Sequence, residues 1–173
     1  SGLYQMKGLE VIEKVTVDTP FGSPSDSIII GKLEGVRLAF LPRHGVGHVI
    51  PPSEINVRAN IFAMKKIGVD RIISVSAVGG MKENMPPGHF VVPHQFIDRT
   101  FKRISTFFTE GMVGHVSMAD PVCLATAGTL FNAAKKAGAD AHEGGTYICI
   151  EGPQFSSRAE SLLYRQWGVD VIG

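Results

Sequence analysis

Three glycine-rich segments carry the residue types best suited to chemistry. Pro42-Arg43-His44-Gly45-Val46-Gly47-His48 places an arginine and two histidines on a loop directly after an apolar run. The four-residue spacing of His44 and His48 would suit a metal on a helix, but Gly45 and Gly47 disfavour a helix and no third ligand follows at a metal-site spacing. A planar guanidinium beside closely approaching backbone N–H groups suits an anion such as phosphate. The plainer alternative is an arginine at a surface turn or at a helix C-terminus. Ser76-Ala77-Val78-Gly79-Gly80 offers a hydroxyl and several backbone donors after a second apolar run, at the sheet edge where open α/β folds hold ligands. It lacks both the Gly-Lys-Ser/Thr ending of a Walker loop and the GxGxxG fingerprint, and small residues after a strand often make a simple turn. In Glu151-Gly152-Pro153-Gln154-Phe155-Ser156-Ser157, Phe155 reads as the wall of an aromatic site or as a staple between a helix start and the core. Position alone favours the staple. No GxSxG is present, so this is not a nucleophile elbow.

Loops of this kind need strands to carry them, and the sequence supplies candidates. Residues 27–41 read as a hairpin of two β-rich runs with turn chemistry between them. Ser53, after Pro51-Pro52, is placed to cap a helix reaching Ile67, with Val57, Ile61, Met64 and Ile67 on one face and Gly68 at its end. Residues 71–76 form a nearly continuous apolar run of the kind covered on both faces of a sheet. Phe90-Val91-Val92 reads as a further strand after the turn at Pro86-Pro87-Gly88. Residues 98–118 show no period and predict a long ordered loop, with Phe101, Phe107 and Phe108 too apolar to face water and suited to covering by a partner subunit or, alternatively, to folding back onto their own domain. Asp120-Pro121 is expected to open a helix that Gly138 closes. Tyr147 to Ile150 predicts a strand, Ser157-Arg158-Ala159-Glu160 a capping box opening a helix to Trp167 before Gly168, and residues 169–173 a terminal strand. The alternation implies one α/β domain over residues 1–173, with a mixed, mostly parallel central sheet flanked by helices.

Composition narrows the function classes. With 173 residues, 44% of them hydrophobic, and a net charge of +1, the chain is neither disordered nor collagen-like and offers no electrostatic footprint for nucleic acid or an acidic membrane. No apolar run is long enough for a transmembrane helix. Cys123 and Cys149 are too few for a disulfide framework and read as reduced, buried thiols of a cytoplasmic protein. The start without Met and the terminal apolar strand read as cut ends.

Arg43-His44-Gly45-x-Gly47-His48, Ser76-Ala77-Val78-Gly79, Phe96-Ile97-Asp98-Arg99-Thr100, His115-Val116-Ser117-Met118-Ala119-Asp120-Pro121 and Glu151 to Glu160 occur in this order. Together they resemble the 5′-methylthioadenosine phosphorylases, within the trimeric purine nucleoside phosphorylase family, along the whole chain. The resemblance implies phosphorolysis of 5′-methylthioadenosine to adenine and 5-methylthioribose 1-phosphate, with inorganic phosphate as co-substrate and no metal or organic cofactor. It assigns Ser1, Arg43, His44, Ser76 and Ala77 to phosphate. It assigns Val78, Gly79, Phe155, Ser156 and Ile172 to the purine side, with Ala77 lining the same pocket. His115 resembles a residue that a neighbouring subunit of a trimer, or of a dimer of trimers, lays over the methylthio group. The family's general-acid aspartate would lie beyond Gly173, so no catalytic acid is assigned. Ser156 stands where 6-oxopurine enzymes carry Glu, and a carboxylate there would repel the bare N1 of adenine. A purine nucleoside or methylthioinosine phosphorylase is the alternative, and a non-catalytic purine- or anion-binding fragment is the second.

Overall fold

The hairpin expected over 27–41 forms as the second and third strands of an antiparallel sheet with order β1 (Glu10–Val15), β2 (Ile28–Leu33) and β3 (Val36–Phe40). The structure is a computed structural model that describes residues 2–173. Leu33 pairs with Val36, so Glu34 and Gly35 are the whole connection, and both have positive φ. That is the two-residue turn whose twist matches paired strands. Gly31 is needed inside β2, because a Cβ there would lie 2.9 Å from Leu9 Cδ1 and 3.0 Å from the Glu10 carbonyl.

The chain divides into two compact units, the first made of the first 74 residues with 102–111 and the second of 75–101 with 112–173. The core of the first unit gathers Val17, Ile28 and Ile30 against Ala63 of α1 (Val57–Lys66), with Leu41, Met64 and Ile67 around them. This helix begins later than Ser53. Residues Pro52–Glu54 form a 3-10 turn instead, and the cap is Asn56, whose side chain accepts the Ala59 N–H at 3.2 Å and donates to the Phe21 carbonyl at 2.6 Å. Asn can serve the helix and a distant segment at once, which a serine hydroxyl at position 53 does not reach. Buried Asn60 is satisfied in the same way, exchanging two bonds with Ser25.

The second unit holds a four-stranded sheet in the order β4 (Gly79–Gly80), β9 (Val171–Ile172), β8 (Thr146–Ile150) and β6 (Gln95–Arg99). Strands β6, β8 and β9 are parallel, and β4 runs antiparallel to β9. A separate parallel pair joins β5 (Phe90–Val92) to β7 (Ala141–Glu143). Ile148, wholly buried in β8, packs with Met81, Val169 and Tyr164 of α3 (Arg158–Gln166). Both bonds of the expected capping box on α3 are made, at 3.2 Å and 2.7 Å. The helix α2 (Leu124–Lys136) starts after Cys123 rather than at Asp120-Pro121, and Gly138 follows its end with φ +79°.

Three other expectations change. Residues 71–76 are not a strand: Ile72, Ile73 and Val75 are each more than half exposed. An apolar run predicts a buried strand only where neighbouring elements cover both faces, and that cover is tertiary rather than local. Cys123 is exposed and Cys149 partly so, because the first stands at the head of α2 rather than within it. Phe107 packs edge-on against Phe21, ring centres 5.3 Å apart, so this part of the long loop folds back on its own unit, whereas Phe101 remains 76% exposed. Among the described residues no helix is long and apolar enough to cross a membrane.

The two caps differ in what they hold. Replacing Ser157 by Ala removes the bond to the Glu160 N–H and should cost about 1 kcal/mol. Asn56→Ala also releases the Phe21 carbonyl and should cost more, as urea unfolding of the two variants will measure.

Candidate functional site

The Arg-His loop of the first unit is built by its own backbone. Gly45 N–H donates to the Pro42 carbonyl at 2.9 Å, and the Val49 and Ile50 N–H groups both donate to the His44 carbonyl at 3.0 Å. So tight a coil needs positive φ at Gly45, Gly47 and His48, and two of those three positions are glycine. Asp26 fastens the loop from β2's approach by accepting the Val46 N–H at 2.9 Å. That bond, working against burial and joined by Lys14 at 3.8 Å, holds the Asp26 carboxyl below the usual carboxylate range. His44 is half-buried and stacks on His48, ring centres 4.4 Å apart. Its Nδ1–H donates to the Ile50 carbonyl at 2.9 Å, which fixes the ring and leaves Nε2 for a ligand. Arg43 is exposed beside it. The spacing that suggested a metal is thus a ring stack, and no cluster of three or more metal-ligating side chains occurs among the described residues.

In the second unit Val78 and Gly79 run directly beside Ile172. Gly79 pairs with Ile172, and a Cβ on Gly79 would stand 3.1 Å from Ile172 Cγ2. Val78 Cγ1 comes within 3.3 Å of the Cβ position of Gly173. The segment from Ser76 and Ala77 to Gly79 is exposed at the end of the sheet. Gly173 in turn donates to Ile148 and accepts from Ile150, which joins this edge to the end of β8.

Beyond Ile150 the chain makes the strand-to-helix turn that carries Phe155 and Ser156. Phe155 is 94% exposed, so it is no staple of the core; the capping box already fixes the start of α3. Its ring borders a cavity of about 110 Å³ with Arg99, Phe101, Glu151, Ser156 and Tyr164. Whole small-molecule sites occupy about 300–1,000 Å³, so this cavity is smaller than such a site. Ser156 is half-buried and shares a hydrogen bond of 2.8 Å with Ser161. Glu151, buried at the end of β8, accepts the Phe101 N–H at 2.7 Å and so ties the start of the long loop to this turn. Arg99 and Glu151 stand inside quoted motifs but carry no role in the sequence reading; a charged residue at or just after the end of a strand was the signal available. His115 is exposed and outside the cavity lining, and Ser1 lies outside the described residues. The structure therefore brings Val78, Gly79 and Ile172 together, and Phe155 with Ser156, within the second unit, and places Arg43 with His44 in the first.

Comparison with known proteins gives these features a lineage. The sequence profile of the phosphorylase superfamily matches residues 6–173. The chain is 60% identical to the S-methyl-5′-thioadenosine phosphorylase of Geobacter sulfurreducens, covering 100% of this chain and 61% of that protein. The protein of that name from Hyperthermus butylicus is 54% identical, with 100% and 64% covered. The chain spans about three fifths of the length of the curated relatives it matches. Among solved structures, a methylthioadenosine phosphorylase from an antarctic soil metagenomic library superposes with a TM-score of 0.97 at 53% identity, over 100% of this chain and 61% of that one. The methylthioadenosine phosphorylase from Schistosoma mansoni in complex with adenine gives 0.93 at 35% identity, over 100% and 70%. The mixed sheets and helices are those of this fold, and the chain belongs to the phosphorylase superfamily.

Proposed function

We propose that the protein phosphorolyses 5′-methylthioadenosine, releasing adenine and 5-methylthioribose 1-phosphate. The observation that carries this reading is the 60% identity, over the whole chain, to a relative of that named activity. The geometry of each unit supports it. Breaking an N-glycosidic bond with phosphate builds positive charge on the ribose and negative charge on the purine, so the residues must position phosphate and hold the base. Arg43 and His44 supply charge-assisted donors, and Ser1, Ser76 and Ala77 supply a hydroxyl and backbone set. Because Nδ1–H of His44 already donates to Ile50, a bond from Nε2–H to phosphate uses the imidazolium form, with both ring nitrogens donating. Phe155 offers an exposed face to the purine, and Val78, Gly79 and Ile172 form a second, aliphatic wall. Ser156 presents a neutral hydroxyl where a carboxylate would select a 6-oxopurine. Phosphate is the co-substrate, and this chemistry calls for no metal or organic cofactor. The same reading makes the protein a cytoplasmic salvage enzyme with one α/β phosphorylase domain.

It also makes the protein a homotrimer, or a pair of trimers, in which His115 closes the methylthio end of a neighbour's pocket. Support lies in the exposed apolar side chains around it: Met112, Val113, Val116 and Met118 are each more than half exposed. Covering such residues contributes about 1.5–3 kcal/mol apiece for a side chain fully removed from water.

Release of adenine from 5′-methylthioadenosine, dependent on added phosphate, is the direct test on the full-length protein; equal or better turnover of inosine would favour a 6-oxopurine enzyme. Arg43→Ala should raise KM for phosphate at least about tenfold with the fold intact, since a hydrogen bond to a charged group contributes about 1.5–3 kcal/mol. An unchanged phosphate dependence makes Arg43 structural. Ser156→Glu should depress use of the adenine nucleoside, read as kcat/KM for methylthioadenosine against inosine. Subunit exchange between His115→Ala and Arg43→Ala oligomers should restore some activity if the two residues complete one pocket from different chains. No recovery despite proven exchange removes His115 from the neighbour's site.

A further inference from the structure

Asp170 is the most deeply buried carboxylate outside the residues assigned above, at 5% exposure, and it joins three segments of the second unit. One carboxylate oxygen accepts the Thr146 N–H at 2.6 Å, and the other pairs with the Lys82 ammonium. The Asp170 N–H donates to the Thr146 carbonyl at 2.9 Å, and its carbonyl accepts the Met81 N–H at 2.8 Å. The backbone is shaped around this side chain: a Cβ on Gly145, where φ is +100°, would stand 2.9 Å from the Asp170 carboxyl carbon. On the other side a Cβ on Gly80 would collide with the Met85 carbonyl, so the turn that returns Lys82 to Asp170 also admits only glycine. Glu83, next to Lys82, is held to α3 by Arg165 at 2.6 Å.

A buried carboxylate is a poor way to add stability, because desolvation offsets much of what the ion pair contributes; what it adds is direction. Here the direction is specific. Met81 and Lys82 are pinned to Asp170 immediately after Val78 to Gly80, and Val171 and Ile172 follow Asp170 immediately. The pair therefore fixes how Val78 and Gly79 lie against Ile172. We propose that the Asp170–Lys82 pair is a positioning device for nucleoside binding, setting the spacing between the 76–79 loop and Ile172. This rests on the reading that those residues wall the base.

Among the described residues Lys82 is the charged side chain facing Asp170; Gly145, Thr146 and Met81 present backbone or apolar groups. Burial works to raise the Asp170 pKa, and Lys82 with the Thr146 N–H outweighs it, so the carboxyl stays below the usual range. Removing Lys82 leaves burial in command and raises the carboxyl's pKa.

The experiment compares wild type, Lys82→Met, Lys82→Arg and Asp170→Asn in the full-length protein from pH 5 to 8. It measures KM for 5′-methylthioadenosine and for phosphate, kcat, and amide exchange over residues 78–82. Lys82→Met should raise the nucleoside KM about tenfold at pH 7 and further as pH falls, as Asp170 takes up a proton in the folded protein. Lys82→Arg should restore it. Asp170→Asn should raise KM without that acid limb. Wild-type nucleoside KM in Lys82→Met and Asp170→Asn across the range, or a loss of kcat that only follows lost stability, overturns the proposal. If wild type releases no adenine, the functional reading fails separately, and exchange still decides: faster exchange at Met81 in Lys82→Met supports the positioning role, and unchanged exchange ends it.

Discussion

The second unit depends on strand β8 being paired on both edges. Its neighbours β6 and β9 run parallel to it, Ile148 at its centre is wholly buried, and each end delivers the chain to a different task. At the start, Thr146 meets Asp170 and fixes the residue just before β9. At the end, Ile150 passes into buried Glu151 and the turn bearing Phe155. Parallel strands give evenly spaced, slanted hydrogen bonds, so a shift of one strand would carry its neighbours' loops with it. Backbone pairing thus places Gly79 against Ile172 and brings the chain to the turn that carries Phe155.

The first unit solves a different problem with less regular structure. Its antiparallel sheet ends in a loop whose carbonyls and amides are satisfied locally, by His44, Pro42 and Gly45, with Asp26 reaching in from outside. Left-handed backbone at Gly45, Gly47 and His48 turns the chain so sharply that the His48 ring returns to stack on His44. A flexible loop would have to lose that conformational freedom when an anion arrived. This one is ordered beforehand.

What could be read in the sequence follows the range of the forces involved. The capping box at Ser157, the Gly closures after the helices, and the hairpin around Glu34-Gly35 are local and were legible. Features set by distant partners were not. Ser53 has the right chemistry for a cap, yet Asn56 wins because Phe21, far away in sequence, offers a carbonyl to it. Residues 71–76 have the composition of a buried strand, yet burial depends on what lies over them. Asp170 sits among apolar residues, where its charge could be taken for a surface residue at a strand edge; its partners Lys82 and Thr146 are distant from it in sequence. Within the candidate site, small-residue loops showed where backbone would approach a ligand, but whether Phe155 turned inward or outward lay beyond any local rule.

That outward turn has a thermodynamic consequence. Phe155 holds an aromatic ring in water on a segment bounded by buried Glu151 and the fixed first turn of α3, so the ring cannot be hidden by collapse of its own support. Water around an exposed apolar face contributes heat capacity, and covering the face removes it. Association of a flat heteroaromatic ligand with this ring therefore carries a negative heat-capacity change, and its enthalpy grows more favourable as temperature rises.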